Sequence, residues 1–216
     1  ATLIHTIQGS GATSPEEGNK HVIEGVVVGD FQDSATALGG FFLQEEDSDV
    51  DGDDQTSEGI FVFDDGFGVD VDEGDVVRVK GEVDEAFGLT QLESITNLEE
   101  CADQAGGAAP AAVTLPVASD LEPYEGMGVT FAQTLYATDN FNWHRFGEVQ
   151  LSVGGVLDNP TNVTTPGAAA LALQDLNARS QVQLDDGSNI SSSDPAFDPP
   201  PYVSADGTMR RGDTVD

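Results

Sequence analysis

The chain has 216 residues, enough for one large domain or two of about 100 residues each. Seven Lys and Arg face forty Asp and Glu, a formal net charge of −33. So few bases exclude the broad basic surface with which most nucleic-acid binders neutralise phosphates, and no apolar run approaches the ~20 residues of a membrane span.

A surface this acidic repels itself at low ionic strength and needs salt to screen it. Disorder is not the reading, because apolar runs such as Gly39-Gly-Phe-Phe-Leu-Gln44 and Gly59-Ile-Phe-Val-Phe63 recur along the chain. The acidic residues spread over its whole length, and one of the seven bases falls among the first seventy residues. That distribution points to adaptation to high salt. Cys101 is the single cysteine, so no internal disulfide forms. It sits in Glu-Glu-Cys-Ala-Asp, where neighbouring carboxylates raise a thiol pKa and discourage nucleophilic use. One cysteine fits a cytosolic or a secreted protein, and Ala1 could follow a signal-peptide cleavage site.

In chain order the pattern is strand, turn, strand. Val22-Ile-Glu-Gly-Val-Val-Val-Gly-Asp30 is β-branched and ends in a Gly-Asp turn. Phe41–Gln44 and Ile60–Phe63 make the next two strands. Asp75–Val83 alternates, with Val77 and Val79 on one face and Arg78 and Lys80 on the other. Gly88–Glu93 supplies a fifth strand. Five short strands in about 80 residues predict a small Greek-key barrel of the OB type. Gly106-Gly-Ala-Ala-Pro-Ala-Ala112 reads as a linker of small residues.

A second copy follows. Thr134-Leu-Tyr-Ala-Thr-Asp-Asn-Phe141 echoes Val26-Val-Val-Gly-Asp-Phe31, and Gly147-Glu-Val-Gln-Leu-Ser152 echoes Gly39-Gly-Phe-Phe-Leu-Gln-Glu45. Gln181-Val-Gln-Leu-Asp-Asp-Gly187 echoes Gly59-Ile-Phe-Val-Phe-Asp-Asp-Gly66, and Arg211-Gly-Asp-Thr-Val-Asp216 echoes Glu73-Gly-Asp-Val-Val-Arg78. Thr165-Pro-Gly looks like an N-cap with proline opening a helix over 168–178. The expected fold class is therefore all-β, with tandem OB-fold-like Greek-key barrels and one short helix in the second module. The expected boundaries are 1–105, a linker over 106–115, and 116–216, the last stopping at its fourth strand.

These blocks also carry a resemblance. Ile7-Gln-Gly-Ser-Gly11, Val26–Phe31, Leu38-Gly-Gly-Phe-Phe-Leu-Gln-Glu-Glu-Asp47, Asp51–Phe63, Gly74-Asp-Val-Val-Arg-Val-Lys-Gly81 and Phe87-Gly-Leu-Thr-Gln-Leu92 resemble the region before the catalytic domain in ExeM/NucH-type extracellular nucleases. The resemblance continues through Thr138-Asp-Asn-Phe-Asn142, Arg145-Phe-Gly-Glu148, Leu184-Asp-Asp-Gly187 and Arg211-Gly-Asp-Thr-Val215. It implies an OB-like region, secretion, and a C-terminal endonuclease/exonuclease/phosphatase-type catalytic domain in the parent chain. The catalytic half of that family carries Gly-Asp-Phe-Asn and Ser-Asp-His patterns. Here Gly29-Asp-Phe31 is followed by Gln32 and no Ser-Asp-His occurs, so this segment is expected to be non-catalytic.

Two sites stand out. Asp47-Ser-Asp-Val-Asp-Gly-Asp-Asp-Gln-Thr-Ser-Glu58 fits the calcium-loop pattern, with Asp47, Asp49, Asp51, Asp53 and Glu58 as ligands for Ca2+ or Mg2+. Its flanks are strands rather than helices, so a solvated acidic hairpin tip is the alternative. The second is Asn140-Phe-Asn-Trp-His-Arg-Phe146, in the loop joining the first two strands of the second module. Trp143 could stack on bases, His144 and Arg145 could meet phosphate, and Asn140 and Asn142 could donate to phosphate or base edges. Arg78, Lys80 and Phe87 form a further candidate surface for DNA in the first module. The expected function is a non-catalytic DNA-binding accessory region with little sequence preference. The alternatives are a cation-stabilised spacer and an extracellular domain that binds carbohydrate or protein.

Raising salt from ~10 mM to ~1 M, which shortens the Debye length from ~30 Å to ~3 Å, should raise the melting temperature of the chain. Thermal melts followed by circular dichroism check this, and a flat response removes the salt-adaptation reading.

Overall fold

The computed structural model describes residues 1–32, 38–101, 107–188, 190–191, 194 and 209–215. They form two compact units, Ala1–Ala111 with Leu121–Thr130, and Ala112–Asp120 with Phe131–Asp216. No helix among the described residues is long and apolar enough to cross a membrane.

The first unit opens with a one-turn helix, α1 (Ile4–Gln8). Five strands follow: β1 (Lys20–Phe31), β2 (Gly40–Gln44), β3 (Gly59–Phe63), β4 (Val76–Ala86) and β5 (Leu89–Glu100). They close into a barrel in the order β1-β2-β3-β5-β4. β4 returns antiparallel to β1, and β3 runs parallel to β5. This is a Greek-key barrel compatible with an OB-like fold. Alternation explains its interior. Ile23 and Val27 of β1, Phe41 and Leu43 of β2, Ile60 and Val62 of β3, Val77, Val79 and Val83 of β4, and Leu92 and Leu98 of β5 form one buried cluster. Each large aliphatic or aromatic side chain contributes about 1.5–3 kcal/mol by leaving water. Ile4 and Ile7, three apart on α1, are fully buried in the same cluster and plug the barrel. Gly25 and Gly81 sit where neighbouring strands leave no room for a side chain. A Cβ there would lie 2.5 Å from the Gln44 carbonyl and 2.6 Å from the Glu93 carbonyl respectively.

The chain passes on through a short ribbon of β6 (Ala111–Val113) and β7 (Val129–Phe131). Glu122–Tyr124 forms a 3-10 turn before β7. Leu121–Thr130, expected in the second module, belongs with the first unit. The Gln44 carboxamide accepts from the Gly128 amide at 2.9 Å and donates to the Ala109 carbonyl at 3.0 Å. The Ser57 hydroxyl donates to the Glu125 carbonyl at 2.6 Å. The segment thus finds its polar partners on β2 and beside β3.

The second unit has β8 (Leu135–Asp139), α2 (Trp143–Phe146), β9 (Val149–Val153), α3 (Pro160–Val163), α4 (Ala168–Arg179), β10 (Gln181–Leu184) and β11 (Thr214–Val215). Asn159 caps α3 through its side chain, while α4 starts after Gly167 without a side-chain cap. Among the described residues its sheet has four strands in the order β10-β9-β8-β11. That is the order β3-β2-β1-β4 of the barrel.

Hydrogen bonds extend the equivalence to single residues. Val27 donates to Asp75 O and accepts from Gly74 N; Ala137 donates to Asp213 O and accepts from Gly212 N, all at 2.8–2.9 Å. The Asp75 carboxylate accepts from Asp72 N at 2.8 Å, and that of Asp213 from Arg210 N at 2.7 Å. Both first strands carry an irregularity at matching places, Val27/Gly29 and Ala137/Asp139. The two units share one local design built from Gly-Asp turns and an interrupted first strand.

Candidate metal centre

Period-two alternation brings acidic residues to the interior face of the barrel. Glu45 shares a face with Phe41 and Leu43, and Glu58 shares one with Ile60 and Val62. The Glu45 amide donates to the Glu58 carbonyl at 2.9 Å, which extends the β2–β3 ladder one step beyond its ends. Both side chains therefore turn inward at the mouth of the barrel, under α1. They are 1% and 5% exposed. α1 presents His5 between the two buried isoleucines.

The three meet closely. His5 Nδ1 lies 2.9 Å from Glu45 Oε2 and 3.1 Å from Glu58 Oε2. One ligand atom from each residue falls within 4.8 Å of the others, a spacing that admits a metal ion among them. The remaining polar atoms are held from outside. Glu45 Oε1 accepts from the Ile4 amide, one of the donors that an isolated helix start leaves unsatisfied. Glu58 Oε1 accepts from the Asp51 amide at 3.1 Å. On the far side of the ring, His5 Nε2 stands 3.8 Å from Asp51 Oδ2. The Asp51 carboxyl is itself held below its usual range, first by the Asp53 amide.

Electrostatically the arrangement is short of positive charge, with one imidazole facing two buried carboxyl groups. Burial, and then the facing Glu58 carboxylate, push the Glu45 carboxyl from 4.5 up to about 8. Burial opposes charging of His5, but the hydrogen bonds and charges of the two carboxylates outweigh it and raise the imidazole. One Nδ1–H faces two buried carboxylate oxygens and can serve only one of them well. The other needs a proton or a cation.

The acidic loop that the sequence singled out takes a different shape from a five-carboxylate cage. Of Asp47, Asp49, Asp51, Asp53 and Glu58, only Glu58 belongs to the converging group. Asp47 Oδ1 accepts from Ala109 N, Asp51 Oδ1 from Asp53 N, and Asp53 Oδ1 from Gln55 N. Asp49 is exposed. Short carboxylates in a turn cap nearby amides readily. Flanking strands, unlike flanking helices, send Glu58 into the barrel.

The candidate DNA residues are scattered and mostly engaged. Asn140 donates to the Met209 carbonyl and Asn142 to Glu148 Oε2. Arg145 is exposed, with its guanidinium 4.8 Å from the Phe146 ring centre. Trp143 is half-buried at the start of α2, and His144 occupies its second position. Arg78 pairs with Glu24, its Nε at 2.7 Å. Lys80 is exposed on the same face of β4. Phe87 stands fully exposed at the tip of the β4–β5 turn, seven residues beyond Lys80, roughly 23 Å along the strand at 3.3 Å per residue. The surface proposed for Arg78, Lys80 and Phe87 is thus not a single patch. Burial and then Glu24 raise the Cys101 thiol pKa, the direction that disfavours the nucleophilic thiolate.

Sequence reasoning missed His5 and Glu45. The signal for Glu45 was present: it continues the inward series Phe41, Leu43. No pattern in the sequence placed α1 over that series. The chain matches no protein-family model, no curated protein and no solved structure.

A carboxyl whose folded pKa exceeds its unfolded value favours folding while protonated. Its contribution is complete below about 4.5 and is lost as pH rises through about 8. His5, raised in the same direction, adds to the loss. Chelator-treated protein should therefore lose stability as pH rises from about 4.5 to 8, and Glu45→Gln should flatten that dependence. Urea unfolding at stepped pH measures it.

Proposed function

We propose that this chain is a non-catalytic accessory region of a secreted, salt-adapted nuclease, and that its barrel is held together by a bound divalent cation. The observation that carries the cation is the buried meeting of His5, Glu45 and Glu58. These residues come from α1, the end of β2 and the start of β3, so an ion joining them ties the first segment of the chain to a loop more than 50 residues away. The nuclease setting rests on the sequence resemblance described above. A rigid module of this kind presents a neighbouring catalytic domain without taking part in its chemistry.

The test is thermal. A cation at 100 times its Kd adds about 2.7 kcal/mol, or roughly 10–20 °C for a unit of about 100 residues. Chelator-treated protein in molar salt should regain that increment when a divalent cation is returned, and His5→Gln should not. If no divalent ion moves the melting temperature, the cation-tied reading fails.

A second reading, weak holding of DNA, is favoured by one observation. OB-type barrels engage nucleic acid through the face of strands 2–3 and the turns beside it, including the turn between strands 4 and 5. Phe87 stands exposed on that turn. An edge-to-face contact also joins Phe31 to Phe42, and a tilted one joins Phe42 to Phe61, across β1, β2 and β3. Base stacking on aromatic side chains is worth about 1–3 kcal/mol per base. With net charge −33 the long-range field repels DNA, so salt screens repulsion while weakening few contacts. Binding of labelled single-stranded DNA should be absent at low salt, appear at molar salt, and fall about 5- to 100-fold with Phe87→Ala. Fluorescence anisotropy reads both. Absence of binding at every salt concentration removes this reading.

A further inference from the structure

Resting on the reading of His5, Glu45 and Glu58 as a cation site, we propose that the ion is zinc, held by one imidazole nitrogen and two single carboxylate oxygens. Calcium and magnesium are the ions that the acidic loop sequence suggests, and the donor set argues against both.

Calcium takes six to eight oxygens, commonly with a bidentate carboxylate. Bidentate binding is disfavoured here, because the Ile4 amide already holds Glu45 Oε1 and the Asp51 amide holds Glu58 Oε1. Each offers one oxygen, Oε2, toward His5 Nδ1. Magnesium demands near-octahedral oxygen coordination and keeps several waters. A mouth where the carboxylates are 1% and 5% exposed has little room for that water shell. Zinc accepts three protein donors of mixed N and O type with one further position, at about 2.0–2.2 Å from each.

Imidazole itself discriminates. It suits zinc and its first-row neighbours, whereas hard alkaline-earth ions prefer oxygen alone. The outer shell agrees. Asp51 Oδ2 stands 3.8 Å from His5 Nε2 across the ring, beyond hydrogen-bond distance but near enough for its charge to favour the tautomer that carries the proton on Nε2 and leaves Nδ1 for the metal. Asp51 thereby acts as a positioning residue, and its amide also fixes Glu58. Selectivity of this kind matters in a chain carrying forty exposed or buried carboxylates. Surface carboxylates offer oxygen alone, which hard ions prefer, and one nitrogen inside the barrel is what distinguishes the interior site from them.

The test uses the full chain after chelator treatment, in molar salt, titrated separately with Zn2+, Ca2+ and Mg2+. Melting temperature and calorimetric stoichiometry are read for each ion, and Co2+ supplies a visible ligand-field spectrum as a zinc surrogate. The expected result is one equivalent of Zn2+, a rise in melting temperature with Zn2+ alone, and intense Co2+ bands of low coordination number. His5→Gln should abolish the zinc response and the Co2+ bands. Asp51→Asn, which leaves all three ligands in place, should weaken zinc binding about 10- to 100-fold and provides the readout if His5→Gln does not fold. A rise with Ca2+ or Mg2+ equal to that with Zn2+, lost in His5→Gln, overturns the zinc assignment and leaves the cation reading standing, whereas a rise kept in His5→Gln places the ion elsewhere and overturns both. No response to any of the ions overturns both.

Discussion

Two carboxylates turned into the mouth of a β-barrel, with one imidazole between them, set the terms for the rest of the first unit. Glu45 and Glu58 lie on the same inward rows as Phe41, Leu43, Ile60 and Val62, positions that alternation reserves for apolar side chains. Burying two charges there is unfavourable unless each is paired and its lone pairs are satisfied. The structure meets half of that requirement with backbone: the Ile4 and Asp51 amides take one oxygen from each group. His5 meets part of the rest. α1 is therefore more than a plug, since its isoleucines fill the apolar end while its first amide and its histidine answer the carboxylates.

The second unit isolates what the site depends on. The step that continues the β2–β3 ladder, Glu45 N to Glu58 O, has a counterpart in Val153 N to Ser180 O at 3.1 Å. Valine and serine thus stand where the two carboxylates stand in the barrel. The acidic loop between β2 and β3 is answered by α3 and α4 between β9 and β10. Strand order, the broken first strand and the Gly-Asp turns are common to both units, so they belong to the shared fold. The His5 cluster is not part of that shared set. A feature absent from the sister unit and costly in isolation is a property of the first unit alone.

Much of this was legible in the sequence. β-Branched alternation located all five barrel strands, and Val77, Arg78, Val79 and Lys80 took the faces expected of them. The four echoes fell on strands or Gly-Asp turns that are equivalent in space. Composition and period sufficed there because each element depends only on local pattern. The site was harder. Asp47–Glu58 drew attention as a run of acids, yet its aspartates cap their own turn, and the one member that converges does so because it joins β3. Its partners lie 13 and 53 residues earlier, and no local rule pairs them. α1 was illegible for the same reason: five residues are too few for a helical period, and it forms because Ile4 and Ile7 have a barrel to enter.

Charge acts on this molecule at two depths. The surface acids repel one another through water, where mobile ions screen them over a distance that salt sets. Glu45 and Glu58 sit behind low-dielectric walls, and bulk salt reaches them weakly. A high concentration of monovalent ions can thus quiet the exterior and still leave the interior pair unanswered. The interior calls for a group that enters and stays, either a proton or an ion with donors of its own. Protonation answers it only while Glu45 holds its proton, and the carboxyl gives that up near pH 8. A divalent ion bound there would answer it across the neutral range and would release the proton on binding. The exterior solves a problem of screening and the mouth of the barrel a problem of coordination, which is why an abundance of acidic residues on one does not supply the other.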